Sequence, residues 1–241
     1  MSEGKLYAVG VGPGDPELMT LKASRIIKDA GLVAYPVGAD SGESMARRIV
    51  NRFVHDETLE FGFDVPMRVE REPAQHAYDR AATVIASHLK KGADVALLCE
   101  GDPFFYGSAM YLVERLQTDF SVEVIPGVTS LTACAASALR PLAGRNETLK
   151  VLPAPMEEAD LERELLTADA VAIIKVGRHF EKVRGLLERL GIADKAVIVE
   201  AATNENEAVR KLSDVPTGER PYFSTILIEN DSGSGAWPHN A

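Results

Sequence analysis

The chain has 241 residues, 46% hydrophobic and 26% charged, which suits one large or two ordinary globular domains with a real core. A formal net charge of −10, with no basic excess in either half, argues against a nucleic-acid partner, because polyanions are held by basic surfaces. No run approaches the ~20 apolar residues of a bilayer span, the MSEGKLYAVG start lacks a signal-peptide layout, and Cys99 and Cys134 offer neither disulfide framework nor zinc spacing, so a cytoplasmic protein without a membrane partner or metal site is expected.

In chain order, apolar strand-like runs alternate with helical patterns, the signature of an α/β fold with mostly parallel strands. Residues 6–9 read as a strand that enters the turn GVGPGD, and a helix over 20–30 follows with Leu21, Ser24 and Ile27 on one face. Residues 32–35 read as a second strand. Asp40 and Glu43 stand at capping-box spacing before a helix carrying Met45, Ile49 and Phe53 at i, i+4 and i+8. Residues 74–91 form a helix with Ala77, Ala81, Val84, Ile85 and His88 in a mostly apolar stripe. DVALLC (94–99) is a buried strand by its continuous apolar run, leading into EGDPFFYG and a helix over 108–116. A strand at 122–125 ends at Pro126-Gly127 before the small-residue helix VTSLTACAASAL.

The clearest change in composition is RPLAGRNE at 140–147, which places a boundary between domains 1–140 and 141–241. Beyond it come a strand at 149–152, an acidic helix aligning Leu161, Leu165 and Ala168, and a strand at 170–176. A helix aligning Phe180, Val183, Leu187 and Leu190 follows, then strands at 196–200 and 222–228. The DSGSGAWPHNA tail, from about 231, is expected to be disordered.

GVGPGD lies between a strand and a helix, where a dinucleotide fingerprint would sit. Its spacing is G-x-G-x-G rather than G-x-G-x-x-G, and Pro13 removes an N–H where a phosphate cradle wants one. Alone it would be a tight turn with glycines at positive φ. Two further turns, Glu100-Gly101-Asp102-Pro103 and Pro126-Gly127-Val128-Thr129-Ser130, also follow strands. Three such turns at strand ends suggest a built ligand site.

Together, LYAVGVGPGDPELMTLKA (6–23), EGDPFFYG (100–107), PGVTS (126–130), KVGR (175–178) and EAATNENE (200–207) resemble the tetrapyrrole methylase family over nearly the whole chain. GPGDPELMTLKA and KVGRHF are most similar to members that methylate carbon 20 of precorrin-2 or cobalt-factor II, in cobalamin synthesis. The resemblance implies two α/β domains of the class III methyltransferase type with S-adenosylmethionine folded into the cleft between them, a tetrapyrrole substrate and a homodimer. It also implies that Pro13, Gly101, Asp102, Phe105, Thr129, Ser130, Val176 and Ala202 contact the cofactor, with Glu100 and Gly177 beside them. Asp102 is suited to accept from a ribose hydroxyl or the ammonium group. Phe105 offers an apolar wall or packs into the core. Two departures stand out. Ser108 follows Gly107 where several relatives carry arginine, and EAAT replaces the usual ENG-like turn.

Methyl transfer from a sulfonium chiefly requires alignment, which supplies ~7–11 kcal/mol through positioning. Asp15 is the leading substrate-facing group and candidate catalytic residue, with an N-cap or turn role the alternative; His179 reads as a surface or helix-start residue. A polycarboxylate substrate calls for cations, and Arg47, Arg48, Arg52, Arg140, Arg145 and Lys175 are the candidates, each otherwise a solvated surface charge. Other readings are methylation at a different macrocycle position, of uroporphyrinogen, or of RNA by a relative of the same fold.

Overall fold

The computed structural model describes residues 2–38, 42–65 and 71–229; the expectation for the tail and the role given to Asp40 lie outside them. The chain divides into two compact units, Met1–Thr129 and Ser130–Ala241, so the division precedes the composition change at 140–147. Both are α/β.

The first unit is built on five parallel strands in the order β3-β2-β4-β1-β5: β1 (Leu6–Gly10), β2 (Leu32–Gly38), β3 (Leu59–Val65), β4 (Val95–Cys99) and β5 (Val122–Ile125). Both faces are covered, which explains the unbroken apolar run of β4. Leu6, Ala8, Val95, Leu97 and Cys99 pack on one side with α3 (Arg71–Leu89) and α4 (Ala109–Leu116). Val9, Ala96 and Leu98 pack on the other with α1 (Leu21–Asp29) and α2 (Met45–Ile49). Thr20 caps α1 by accepting from the Ala23 N–H at 3.1 Å. The buried stripe of α1 is Ala23, Ile26 and Ile27, whereas Leu21, assigned above to the apolar face, is 90% exposed. Ser44 caps α2, a role not read from the sequence, and the helix ends at Ile49, with a 3₁₀ turn over Asn51–Phe53 in place of a continuous helix to Phe53.

The second unit is a mixed sheet in the order β6-β7-β10-β8-β9, made of β6 (Leu149–Pro153), β7 (Ala170–Ile174), β8 (Ala196–Glu200), β9 (Ala208–Lys211) and β10 (Ser224–Glu229). β6 and β7 are parallel, but β10 runs antiparallel to both β7 and β8, and β9 antiparallel to β8. The expectation of mostly parallel strands therefore holds for the first unit alone. α6 (Glu158–Leu165) and α7 (Phe180–Arg189) cover the sheet with Leu161, Leu165, Phe180, Val183 and Leu187, all fully buried. α5 (Ser130–Ser137) packs near β10, and burial pushes its Cys134 thiol up to about 11.

Candidate active-site turns

In the first unit β4, β1 and β5 are neighbours, so their C-terminal ends bring the three glycine turns side by side. The turn after β1 and the turn after β4 are bridged by a reciprocal pair of hydrogen bonds. The Gly101 N–H donates to the Gly12 carbonyl at 2.8 Å, and the Gly12 N–H to the Gly101 carbonyl at 3.3 Å. Gly12 (φ 84°) and Gly101 (φ 65°) take the left-handed conformation expected of a tight turn. Gly10 and Gly127 serve a different purpose. A Cβ on Gly127 would lie 2.1 Å from the Gly101 oxygen, and one on Gly10 would lie 2.7 Å from both that oxygen and the Gly127 nitrogen. These two glycines let the turns touch backbone to backbone.

Asp102 fastens the same cluster. Its Oδ2 accepts from the Gly127 N–H at 3.0 Å and its Oδ1 from the Phe104 N–H at 2.9 Å, so the carboxylate is engaged by the protein's own backbone. Glu100 is half-buried on the α2 side, where its Oε1 accepts from the Ala46 N–H at 3.2 Å. Desolvation pushes its carboxyl above the usual carboxylate range, against the pull of backbone N–H groups. The buried Cys99 thiol is pushed up to about 12 by burial, which leaves it a poor nucleophile. Phe105 is half-buried and meets Tyr106 edge-on at 5.2 Å, while Phe104 and Tyr106 are exposed. Tyr106 itself holds a positive φ of 56°.

Asp15 has the N-cap role. Its Oδ1 accepts from the Glu17 N–H at 2.8 Å at the head of a 3₁₀ turn, with Pro16 next. Pro13 and Thr129 are half-buried in their turns, and Ser130 is the exposed first residue of α5.

In the second unit the turns after β7 and β8 flank the start of β10. Val176 and Ala202 are buried, and Gly177 is buried with φ 34°. Lys175 (58°), Ala201 (48°) and Thr203 (65°) also hold positive φ, an unusual run for residues with a Cβ. His179 is half-buried, and desolvation, then Lys182 and Arg178, lower its pKa below the usual histidine range.

Of the expected substrate cations, Arg47 is bound by Glu60, Arg52 lies over the Phe53 ring at 5.0 Å, and Arg140 donates to the Lys195 carbonyl at 2.7 Å. Arg48 and Arg145 are exposed, and Arg48 Nη2 lies 2.8 Å from Met45 Sδ. A pair that the sequence reading missed is Glu200 with Arg220. Glu200 is buried at the end of β8, and both Arg210 (3.0 Å) and Arg220 (3.5 Å) face its carboxylate. The available signal was a carboxylate closing the apolar run AVIVE, where an unpaired charge is costly. Among the described residues no group of three His, Cys, Asp or Glu side chains is arranged to hold a metal ion, and no helix is long and apolar enough to cross a membrane.

Residues 5–216 match the model of the tetrapyrrole (corrin/porphyrin) methylases. The chain belongs to this family. A precorrin-2 C(20)-methyltransferase of Sinorhizobium sp is 40% identical over 234 residues, covering 93% of this chain and 95% of that one. A cobalt-precorrin-2 C(20)-methyltransferase of Salmonella typhimurium is 31% identical over 93% of this chain and 96% of its own. Among solved structures, a uroporphyrin-III C-methyltransferase of Thermus thermophilus in complex with S-adenosylhomocysteine superposes with a TM-score of 0.65 at 25% identity, over 94% of this chain and 98% of that one.

Proposed function

We propose that this enzyme transfers a methyl group from S-adenosylmethionine to carbon 20 of precorrin-2, giving precorrin-3A on the route to cobalamin. The observation that carries the reading is the 40% identity to a precorrin-2 C(20)-methyltransferase across almost the full length of both chains. When bound, S-adenosylmethionine supplies an electrophilic methyl group on a sulfonium.

The turns fit such a group in composition and geometry. In the first unit they end adjacent parallel strands at their C-terminal side, where open α/β sheets bind ligands. In the second, the buried Glu200 stands next to the turn that carries Ala202, faced by Arg210 and Arg220. Pro13, Glu100, Gly101, Asp102, Phe105, Thr129, Ser130, Val176, Gly177 and Ala202 would hold the cofactor. Because both Asp102 oxygens already accept from backbone N–H groups, its part is to keep the EGDP and PGVTS turns in register, and each oxygen has a lone pair left to accept from a ligand. The chain's work is alignment and desolvation rather than covalent attack. Asp15 is proposed to turn toward the substrate and take the proton lost from the methylated carbon, giving up its cap on Glu17. The protein acts as a cytoplasmic homodimer that binds neither nucleic acid nor membrane.

Cobalt-precorrin-2 is the second reading, favoured by the match of similar breadth to the Salmonella enzyme. The deciding experiment is anaerobic incubation with S-adenosylmethionine and either macrocycle, read by mass and by NMR with a labelled methyl donor. A methyl at carbon 20 of one macrocycle selects the substrate. Cofactor binding without methylation of either would refute the substrate, and absence of cofactor binding would refute the whole reading.

A further inference from the structure

The second unit holds its two proposed cofactor turns through one short stretch of chain, residues 220–224. Backbone bonds tie it to both turns. The Arg220 N–H donates to the Gly177 carbonyl at 3.3 Å, the Ser224 carbonyl accepts from the Val176 N–H at 3.4 Å, and the Phe223 carbonyl accepts from the Ala201 N–H at 2.8 Å. Ser224 closes the stretch on itself, its hydroxyl donating to the Pro221 carbonyl at 2.7 Å. Both turns carry left-handed non-glycine residues, Lys175 in one and Ala201 and Thr203 in the other. Such conformations persist only where the surroundings over-determine them.

The Arg220 side chain joins these contacts. Its guanidinium lies 5.6 Å from the centre of the fully buried Phe180 ring, just beyond the Gly177 turn, and its Nη1 faces Glu200 Oε1, just before the Ala201 turn, at 3.5 Å. Arg220 is 17% exposed and Glu200 7% exposed at the side chain. The pair is thus largely desolvated, and Arg210 faces the other oxygen of the Glu200 carboxylate at 3.0 Å. A planar guanidinium lies over a ring and faces a carboxylate with its donors in a fixed fork, whereas an ammonium meets both only as a compact point charge.

We propose that Arg220, acting through Glu200 and the Gly177 carbonyl, is a positioning residue that sets the two turns for the cofactor. The inference rests on the proposed S-adenosylmethionine site. Arg220 does not touch the reacting atoms; it fixes the backbone that does the binding.

The test uses the full chain and S-adenosylhomocysteine as the probe, with Arg220→Met, which keeps the apolar stem, and Arg220→Lys, which keeps the charge. Calorimetric affinity is measured beside far-UV circular dichroism, thermal unfolding, and the KM for S-adenosylmethionine against kcat. With a native spectrum, Arg220→Met is expected to lose about tenfold or more in affinity and to raise KM more than it lowers kcat, since small displacements of positioning groups are costly. Arg220→Lys is expected to recover part of the affinity. A merely structural arginine would lower the melting temperature and leave the affinity of the folded protein unchanged. That result, or failure of both variants to fold, overturns the proposal. Wild-type protein that does not bind the probe refutes the cofactor site itself, whatever the variants do.

Discussion

Gly127→Ala tests whether the glycine turns of the first unit are a packed backbone cluster. The added methyl would sit 2.1 Å from the Gly101 oxygen, 2.9 Å from the Gly10 Cα and 3.0 Å from the Gly10 carbonyl carbon. All three are backbone atoms at the ends of β1 and β4, so relief requires two parallel strands to part rather than one side chain to rotate. Overpacking of this kind costs about 1–3 kcal/mol, and the immobile neighbours put Gly127→Ala at the upper end, about 3 kcal/mol. For a protein of this size that is roughly 6–12 °C in melting temperature. Gly185→Ala is the control. Gly185 lies on the exposed face of α7, where an added methyl would meet nothing within 4 Å, and alanine there should stabilise by about 0.5–1 kcal/mol through helix propensity. Thermal and urea unfolding followed by circular dichroism would measure both. The reasoning is refuted if Gly127→Ala unfolds with the wild type, or if both alanines shift stability in the same direction.

Asp102→Ala removes two hydrogen bonds from backbone N–H groups to a carboxylate, a loss of about 2–4 kcal/mol in urea unfolding, and Asp102→Asn, which keeps one acceptor oxygen, should recover about half; equal stability of all three proteins would count against the clamp. Glu100 has a raised folded-state pKa, so its contribution is present below the ordinary carboxylate value and is lost as pH rises through the folded value. Glu100→Gln should therefore gain in melting temperature relative to wild type as pH rises, and a pH-independent difference would contradict this. Glu123 is held at about 2, first by Lys22 and then by Lys5, so its contribution is present above the ordinary value and lost as pH falls toward 2. The melting-temperature gap between wild type and Glu123→Gln should close over that range, and a constant gap would show that the lysines act on the fold by other means.

The elements read correctly from sequence are those whose periodicity comes from burial. Both faces of β4 are covered, so its apolar run is continuous. Leu161 and Leu165 mark the buried face of an acidic helix, whereas Ala168, also buried, lies beyond its end at Leu165. β3 is absent from the sequence reading although Leu59, Phe61, Phe63 and Val65 alternate with Glu60, Gly62 and Asp64, a period-two signal. β9, with little of its surface buried, carries almost no pattern, and pairing with β8 alone makes it a strand. The three glycine turns were legible as turns, and strand order alone sets them side by side.

What the sequence by itself determined is the class of fold, the turns and the family, because each depends on local residue types at short spacing. Tertiary structure decided the rest. It inserted β10 between β7 and β8 in the opposite direction, which local propensity does not encode. It bound Asp102 to Gly127 across 25 residues and brought Arg220 to Glu200 across a strand and a turn. These partners are distant in the chain, and a side chain's role as cap, clamp or ion pair is set by the neighbours that folding supplies, not by its own chemistry.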